Sequence, residues 1–365
     1  MLGLLAFLPT LAYVPQQLFI LAGVYAACRN PQAIACFFKD LTNKKVKVSP
    51  ASIIVFLILL LSGVNFIVNE PNEIYTPSFF PQFILLPLTV FIATQFTKKD
   101  ARVLSFLVAF EVGVAILEYF AGVSTFLPGL KNYEVFSDSE LMYFHRPLGL
   151  SVNSSILAVK CLLALLLIDF FNRYHTLIDK VLWLVLLVGV YLTFGRTVFL
   201  SLLVFFGFKI LYWYRSRKSA VTWFYAIAGA IIVLVFAVDF LIENQEVIVN
   251  QLTRNTQKVD LSGREKVWPF YIEFIKENVW FGNGSYKIWF GLYHAHNSFL
   301  QIIATNGILI SSLYFGLILY YINHKNLIYI LTILVYSIFQ YAIFWGVSIT
   351  DIVFLFFLLE SKRRD

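Results

Sequence analysis

The sequence predicts an all-α, polytopic integral membrane protein, and three observations predict it. Of 365 residues, 59% are hydrophobic and only 13% are charged, with a mean hydropathy of +0.77. Soluble domains are nearer half apolar and a quarter charged. Apolar runs of about 18 residues or more recur along the chain, the length a helix needs to cross a bilayer. These runs are continuous and do not alternate, which argues against a barrel. That leaves helices, whose backbone groups are satisfied within each span.

Taken in order, the expected spans fall at 3–27, 51–68, 79–96, 103–120, 154–171, 181–195, 197–213, 221–242, 297–320, 327–344 and 346–360. Met1–Cys28 carries no basic leader and no small-residue cleavage site. It reads as one span, or as two short helices broken near Pro15, and not as a removed signal peptide. The loops "RNPQAIACFFKDLTNKKVK", "KKDAR", "NRYHTLIDK", "KILYWYRSRK" and "NHKN" and the terminal "SKRRD" hold 18 of the 28 Lys and Arg. That face is expected in the cytoplasm. Eleven spans then put the C-terminus inside and the N-terminus outside; a hairpin at 1–28 makes twelve, with both inside.

The opposite face receives the acidic "NEPNEIYTPSFFP", the segment 121–153, and the longest loop, 243–296. Loops beyond about 15 residues in a compact protein tend to be functional. With no internal repeat and no low-complexity tract, 1–365 reads as a single membrane domain with the 243–296 loop folded over its outer end. Cys28, Cys36 and Cys161 fall in spans or the first basic loop, so no disulfide framework is indicated. The net charge of +7 reflects cytoplasmic loops and does not point to nucleic acid.

Within the long loop, "SGREKVWPFYIEFIKENVWFGNG" places Trp268, Ile272, Ile275 and Val279 at spacings of four, three and four, the stripe of an amphipathic helix. Ser262 and Glu265 fit a capping box, and Gly282 and Gly284 are expected to end the helix. Such a helix is expected to lie flat on the outer surface of the bundle.

Ionisable residues at membrane depth are functional candidates by default. Arg196, in "LTFGRTVFL", stands apart from the inner-face arginines and needs an anionic partner at that depth. Arg264 opens the loop helix; alone it would be a solvated charge. Together, two guanidiniums facing one outer cavity describe a diphosphate site, because their forks match phosphate oxygens. His296, in "YHAHNSFLQIIATNGI", has three readings: a packing histidine, a zinc ligand with His294 and His145, or a general base titrating near neutrality. No outer-face cysteine or acidic fourth ligand is evident, so metal is the weakest of these. Glu111 and Glu118, seven apart, share one face of the fourth span. A buried Glu111–Lys160 pair fixing two helices is the expected use of those charges.

These segments resemble the signature half of the O-antigen ligase and polymerase superfamily. His296-Asn297, nine residues, then Gly307-Ile308-Leu309-Ile310 is similar to that family's H-[N/S/Q]-x9-G-x-x-[G/T/Y], with Ile310 departing at a packing position. "FGRTVFL" resembles its (S/G)-R-x-x-x-L, and "RPLGLSVNSSILA" its R-x-x-G-x-x-x-N-x-x-x-L-A. The motifs stand in the family's order over about 146–310.

The resemblance implies a metal-independent glycosyltransferase of the GT-C type, without cofactor, in the cell inner membrane, acting on the periplasmic face. Its donor would be an undecaprenyl-diphosphate-linked glycan. Arg196 and Arg264 would hold the diphosphate and His296 would deprotonate or orient the acceptor hydroxyl. Arg146 is a further candidate for donor phosphate, Lys266 for widening the positive field, and Asn297 for substrate contact or for capping the next helix. A polymerase would take a glycan acceptor and a ligase the lipid A core. The 18% aromatic content, suited to stacking on sugars, leans toward a polymerase. Membrane lipids and a chain-length regulator are the other expected partners. A transporter or flippase for the same lipid-linked glycans is the competing class; it predicts repeats with broken helices in matching halves, and none is visible.

Overall fold

Two helices with apolar residues on every side, Ser154–Asn172 and Ile349–Glu360, set the centre of the molecule. A helix without a polar face is stable only when surrounded, and every side chain from Leu157 to Ile168 and from Ile349 to Leu358 is buried. The structure, a computed structural model, describes residues 1–29, 31, 50–76, 82–130, 146–172, 176–216, 264–291 and 293–360. The helices in these residues are α1 (Leu2–Phe7), α2 (Phe19–Arg29), α3 (Pro50–Val68), α4 (Leu86–Gln95), α5 (Lys98–Phe120), α6 (Ser154–Asn172), α7 (Leu177–Thr193), α8 (Arg196–Ser216), α9 (Arg264–Glu277), α10 (Ser298–Tyr321), α11 (Leu327–Phe339) and α12 (Ile349–Glu360). Helices α5 and α7 flank α6, α12 packs on α4, α8 on α11, α3 on α10, and α9 lies across α10.

Among the described residues, α5, α6 and α10 are long and apolar enough to cross a membrane. The expected span at 221–242 lies outside the described residues, as do Cys36, His145, the Ser262 cap and the first part of the long loop.

The N-terminal segment breaks near Pro15, into α1, two short 3-10 turns and α2. A Cβ on Gly3 would sit 2.1 Å from the Asp100 carbonyl oxygen, and Arg29 pairs with Asp100 at 2.8 Å. Both arms thus meet the start of α5. Between them Ala12 N–H donates to the Leu150 carbonyl at 2.8 Å, so the segment is a hairpin whose turn reaches the 146–153 loop.

The buried charges are used as the pair reading expects. Lys160 Nζ lies 2.5 Å from Glu111 Oε2, and both residues are fully buried. A buried ion that lost its partner would be costly, so the pair ties α5 to α6. Ser151 Oγ also donates to Glu111 at 2.7 Å, and Gly149 N–H to Glu118 Oε2 at 2.7 Å. Both carboxylates therefore also pin the loop that carries Arg146.

Two expected elements are corrected. The span expected at 327–344 stops as a helix at Phe339. Beyond it, Ala342 and Ile343 N–H donate to Ser298 Oγ (2.9 and 3.2 Å), and Phe344 and Trp345 N–H donate to the Asp351 carboxylate. Side chains satisfy the backbone there, so no helix is needed. In α9 the buried stripe is Val267, Tyr271 and Phe274, while Ile272 and Val279 are 43% and 37% exposed. The Tyr271 hydroxyl donates to the Ile288 carbonyl at 2.8 Å, which lets a tyrosine serve as core. Val279 lies past the helix, which ends at Glu277; Gly282 and Gly284, at φ +59 and +62, shape the following turn instead.

Candidate functional site

Five pieces of chain meet at one end of the bundle. The α7–α8 turn passes through Phe194 in the left-handed region (φ 46) and Gly195, where an added Cβ would lie 3.0 Å from Ala158 Cβ on α6. This close approach sets Arg196 at the first turn of α8. Arg264 occupies the first turn of α9, and its Nη2 donates to the Phe339 carbonyl at 2.8 Å, at the end of α11. Arg146 comes from the loop pinned by Glu111 and Glu118. Together Arg146, Arg196 and Arg264, with Ser155, Tyr336 and Gln340, line one half-open cavity. Three arginines lining one space, two of them at helix N-termini, form an environment suited to an anion.

The histidine run connects to this cavity through Gln340. Ala295 between them is clamped on both sides, its N–H donating to Gln301 Oε1 (2.9 Å) and its carbonyl accepting from Trp268 Nε1 (2.8 Å). His296 is held at φ 48, a conformation non-glycine residues rarely take and one that clusters at functional sites. Its Nδ1 lies 3.5 Å from Oε1 of Gln340, which itself lines the arginine cavity. The His294 ring packs 4.2 Å from that of His296, and its Nδ1 accepts from His296 N–H at 3.1 Å.

An accepting Nδ1 makes His294 a neutral ring with its proton on Nε2. Burial, with His296, Lys287 and Arg264 nearby, pushes its pKa down to about 3. Burial and Arg264 also hold the His296 pKa below its ordinary value, with Gln340 opposing. Both rings are therefore neutral at pH 7. With Nδ1–H toward Gln340, His296 Nε2 carries the free lone pair a general base requires.

The other expected residues fall as follows. Asn297 is the N-cap of α10, its Oδ1 accepting from Phe299 and Leu300 N–H at 2.9 and 3.1 Å. Lys266 is exposed on α9 and does not line the cavity. Among the described residues no group of three or more His, Cys, Asp or Glu gathers in a way that could hold a metal ion.

Gly307, at φ 71 and ψ 176, kinks α10. A Cβ there would lie 2.1 Å from the Trp280 carbonyl oxygen, and Ile308 N–H donates to the Val279 carbonyl at 2.8 Å. The glycine lets the segment after α9 seat against the broken helix, so that the run carrying the histidines is held at both ends. Gln340, Tyr341 and Trp345, in the loop between α11 and α12, escaped sequence reasoning because an apolar run conceals them; the polar Gln340 and the "WGVS" that follows were the available signals.

Fold and site define a helical membrane protein with a cationic cavity beside a neutral histidine. Residues 181–321 match the family model described as O-Antigen ligase. The match spans most of α7 to α10 and supports, over those residues, the resemblance drawn from the motifs to the ligase and polymerase superfamily. No curated protein and no solved structure shows a significant match.

Proposed function

We propose that this protein transfers an undecaprenyl-diphosphate-linked glycan onto a sugar hydroxyl at the periplasmic face of the inner membrane, polymerising surface polysaccharide repeat units. One observation carries the reading: three arginines share a cavity whose wall residue Gln340 also meets His296. In the proposed step the acceptor hydroxyl attacks the anomeric carbon and its proton passes to His296 Nε2. The anomeric carbon–oxygen bond breaks, and its electron pair leaves on the lipid diphosphate. The main electrostatic task is to stabilise that developing charge. Arg146, Arg196 and Arg264 already line one cavity and would do this there. The family match supports transfer chemistry in general, and the aromatic-rich composition favours a glycan acceptor over the lipid A core.

The test is transfer by purified protein in lipid nanodiscs. His296→Ala is expected to abolish transfer while donor binding persists, because the histidine serves the acceptor and not the phosphates. Undiminished transfer in this variant would remove the base.

A further inference from the structure

A second cavity is lined by Tyr341, the neighbour of Gln340 in the chain. It lies between α4, α10, α12 and the 340–346 loop and is partly open to solvent. Tyr314, Tyr341 and Phe344 supply aromatic wall, and Lys287, Thr305 and Asp351 supply polar groups. Consecutive residues separate the two cavities: Gln340 lines the arginine side and Tyr341 this one. His294 stands at the partition, its ring 5.7 Å from Tyr341 and 5.5 Å from Trp345 as well as against His296.

Two polar groups on this cavity's wall make no side-chain hydrogen bond among the described residues. Lys287 is 6% exposed. Its Nζ sits over the Trp345 ring at 2.9 Å and the Tyr341 ring at 4.8 Å, and among the described residues no hydrogen bond or ion pair reaches it. The Thr305 hydroxyl is likewise buried and unpartnered. Buried polar groups are normally satisfied, and each orphan costs stability. Two residues that line one cavity and lack a hydrogen-bond partner mark a place where a ligand can complete the bonding. Asp351 is already engaged, accepting from Phe344, Trp345 and Ser348; its carboxylate on the wall disfavours an anion. A lipid tail would leave both orphans unmet. A sugar ring offers hydroxyls to Lys287 and Thr305 and an apolar face to the aromatics.

We propose that the cavity around Lys287 and Thr305 is the acceptor subsite, taking an uncharged sugar ring whose neighbouring hydroxyl is thereby presented to His296. The proposal rests on the transfer reading above and names the side of the site that the arginines do not serve. Burial pushes the Lys287 pKa down to about 6, with Asp351 pulling it back up. A lysine that is largely neutral at pH 7 suits an uncharged ligand.

The test uses the full-length protein in nanodiscs and, as acceptor probe, short oligosaccharides released by mild acid from the producing strain's own surface glycan. Lys287→Met and Thr305→Val are each expected to raise acceptor KM about tenfold, the loss of one strong hydrogen bond, with kcat and donor Kd unchanged. Acceptor KM at the wild-type value in both variants, or weakened donor binding in Lys287→Met, would overturn the assignment. Should Lys287→Met fail to fold, the near-isosteric Thr305→Val decides alone. If the wild-type protein transfers nothing, the transfer reading fails separately. Calorimetry with the same oligosaccharides then decides the subsite: binding by wild type that Lys287→Met loses sustains a sugar site, and no binding by wild type ends it.

Discussion

If Arg196 and Arg264 grip one diphosphate, truncating them must weaken donor binding, and must do so cooperatively. Both line the same cavity, so a diphosphate placed there meets both forks. A hydrogen bond to a charged group contributes about 1.5–3 kcal/mol, so Arg196→Ala should raise donor Kd by about 10- to 150-fold. Arg264 is not equivalent. One of its nitrogens is committed to the Phe339 carbonyl at 2.8 Å, so Arg264→Ala removes a phosphate contact and also loosens the end of α11. Arg264→Lys separates the two, keeping charge but losing the fork. Fluorescence titration of a labelled polyprenyl diphosphate into nanodisc-bound protein, at fixed ionic strength, reads these affinities. The double variant should lose less than the sum of the single losses, since groups that share one ligand are coupled. Donor affinity unchanged in both single variants would refute the diphosphate site; strictly additive losses would refute a shared ligand.

Three further outcomes follow. Glu111→Gln leaves Lys160 buried without its carboxylate and should cost about 3–5 kcal/mol, read as a drop in thermal midpoint; an unchanged midpoint would show that the pair does not bind α5 to α6. Gly307→Ala places a methyl 2.1 Å from the Trp280 carbonyl at φ 71, a backbone strain of about 1–3 kcal/mol before any clash. It should lower both the midpoint and the transfer rate, and normal values for both would contradict the seating role. The pH profile follows from His296, whose pKa lies below the ordinary 6.5. Transfer should hold from pH 8 to about 6.5 and fall only at lower pH, whereas a decline already at pH 7.5 would contradict a neutral base. The stability sign agrees. Both histidines bind protons less readily folded than unfolded, so their contribution is complete above about 6.5 and is lost as pH falls.

Much of this arrangement was legible because membranes make exceptions conspicuous. An arginine at Arg196, a histidine at His296 and the charges Glu111 and Lys160 stand out in a chain this apolar; Arg196 lines the cavity, His296 meets its wall residue Gln340, and the two charges pair. The break near Pro15 was legible for the same reason, because proline cannot continue a helix. What escaped notice depends on tertiary satisfaction of the backbone. The 340–348 loop reads as span until Ser298 and Asp351 are seen to accept its N–H groups. The α9 stripe was misplaced because Tyr271 counts as polar until the Ile288 carbonyl takes its hydroxyl. The kink at Gly307 depends on a carbonyl twenty-seven positions earlier in the chain, at Trp280, which no local pattern reveals.

The most direct test is a cryo-electron microscopy structure of the protein with a polyprenyl-diphosphate-linked sugar bound. The account predicts the two phosphates among Arg146, Arg196 and Arg264, at hydrogen-bond distances of about 3 Å, with the anomeric carbon toward His296. A diphosphate bound elsewhere, or one that leaves all three guanidiniums out of contact, would contradict it.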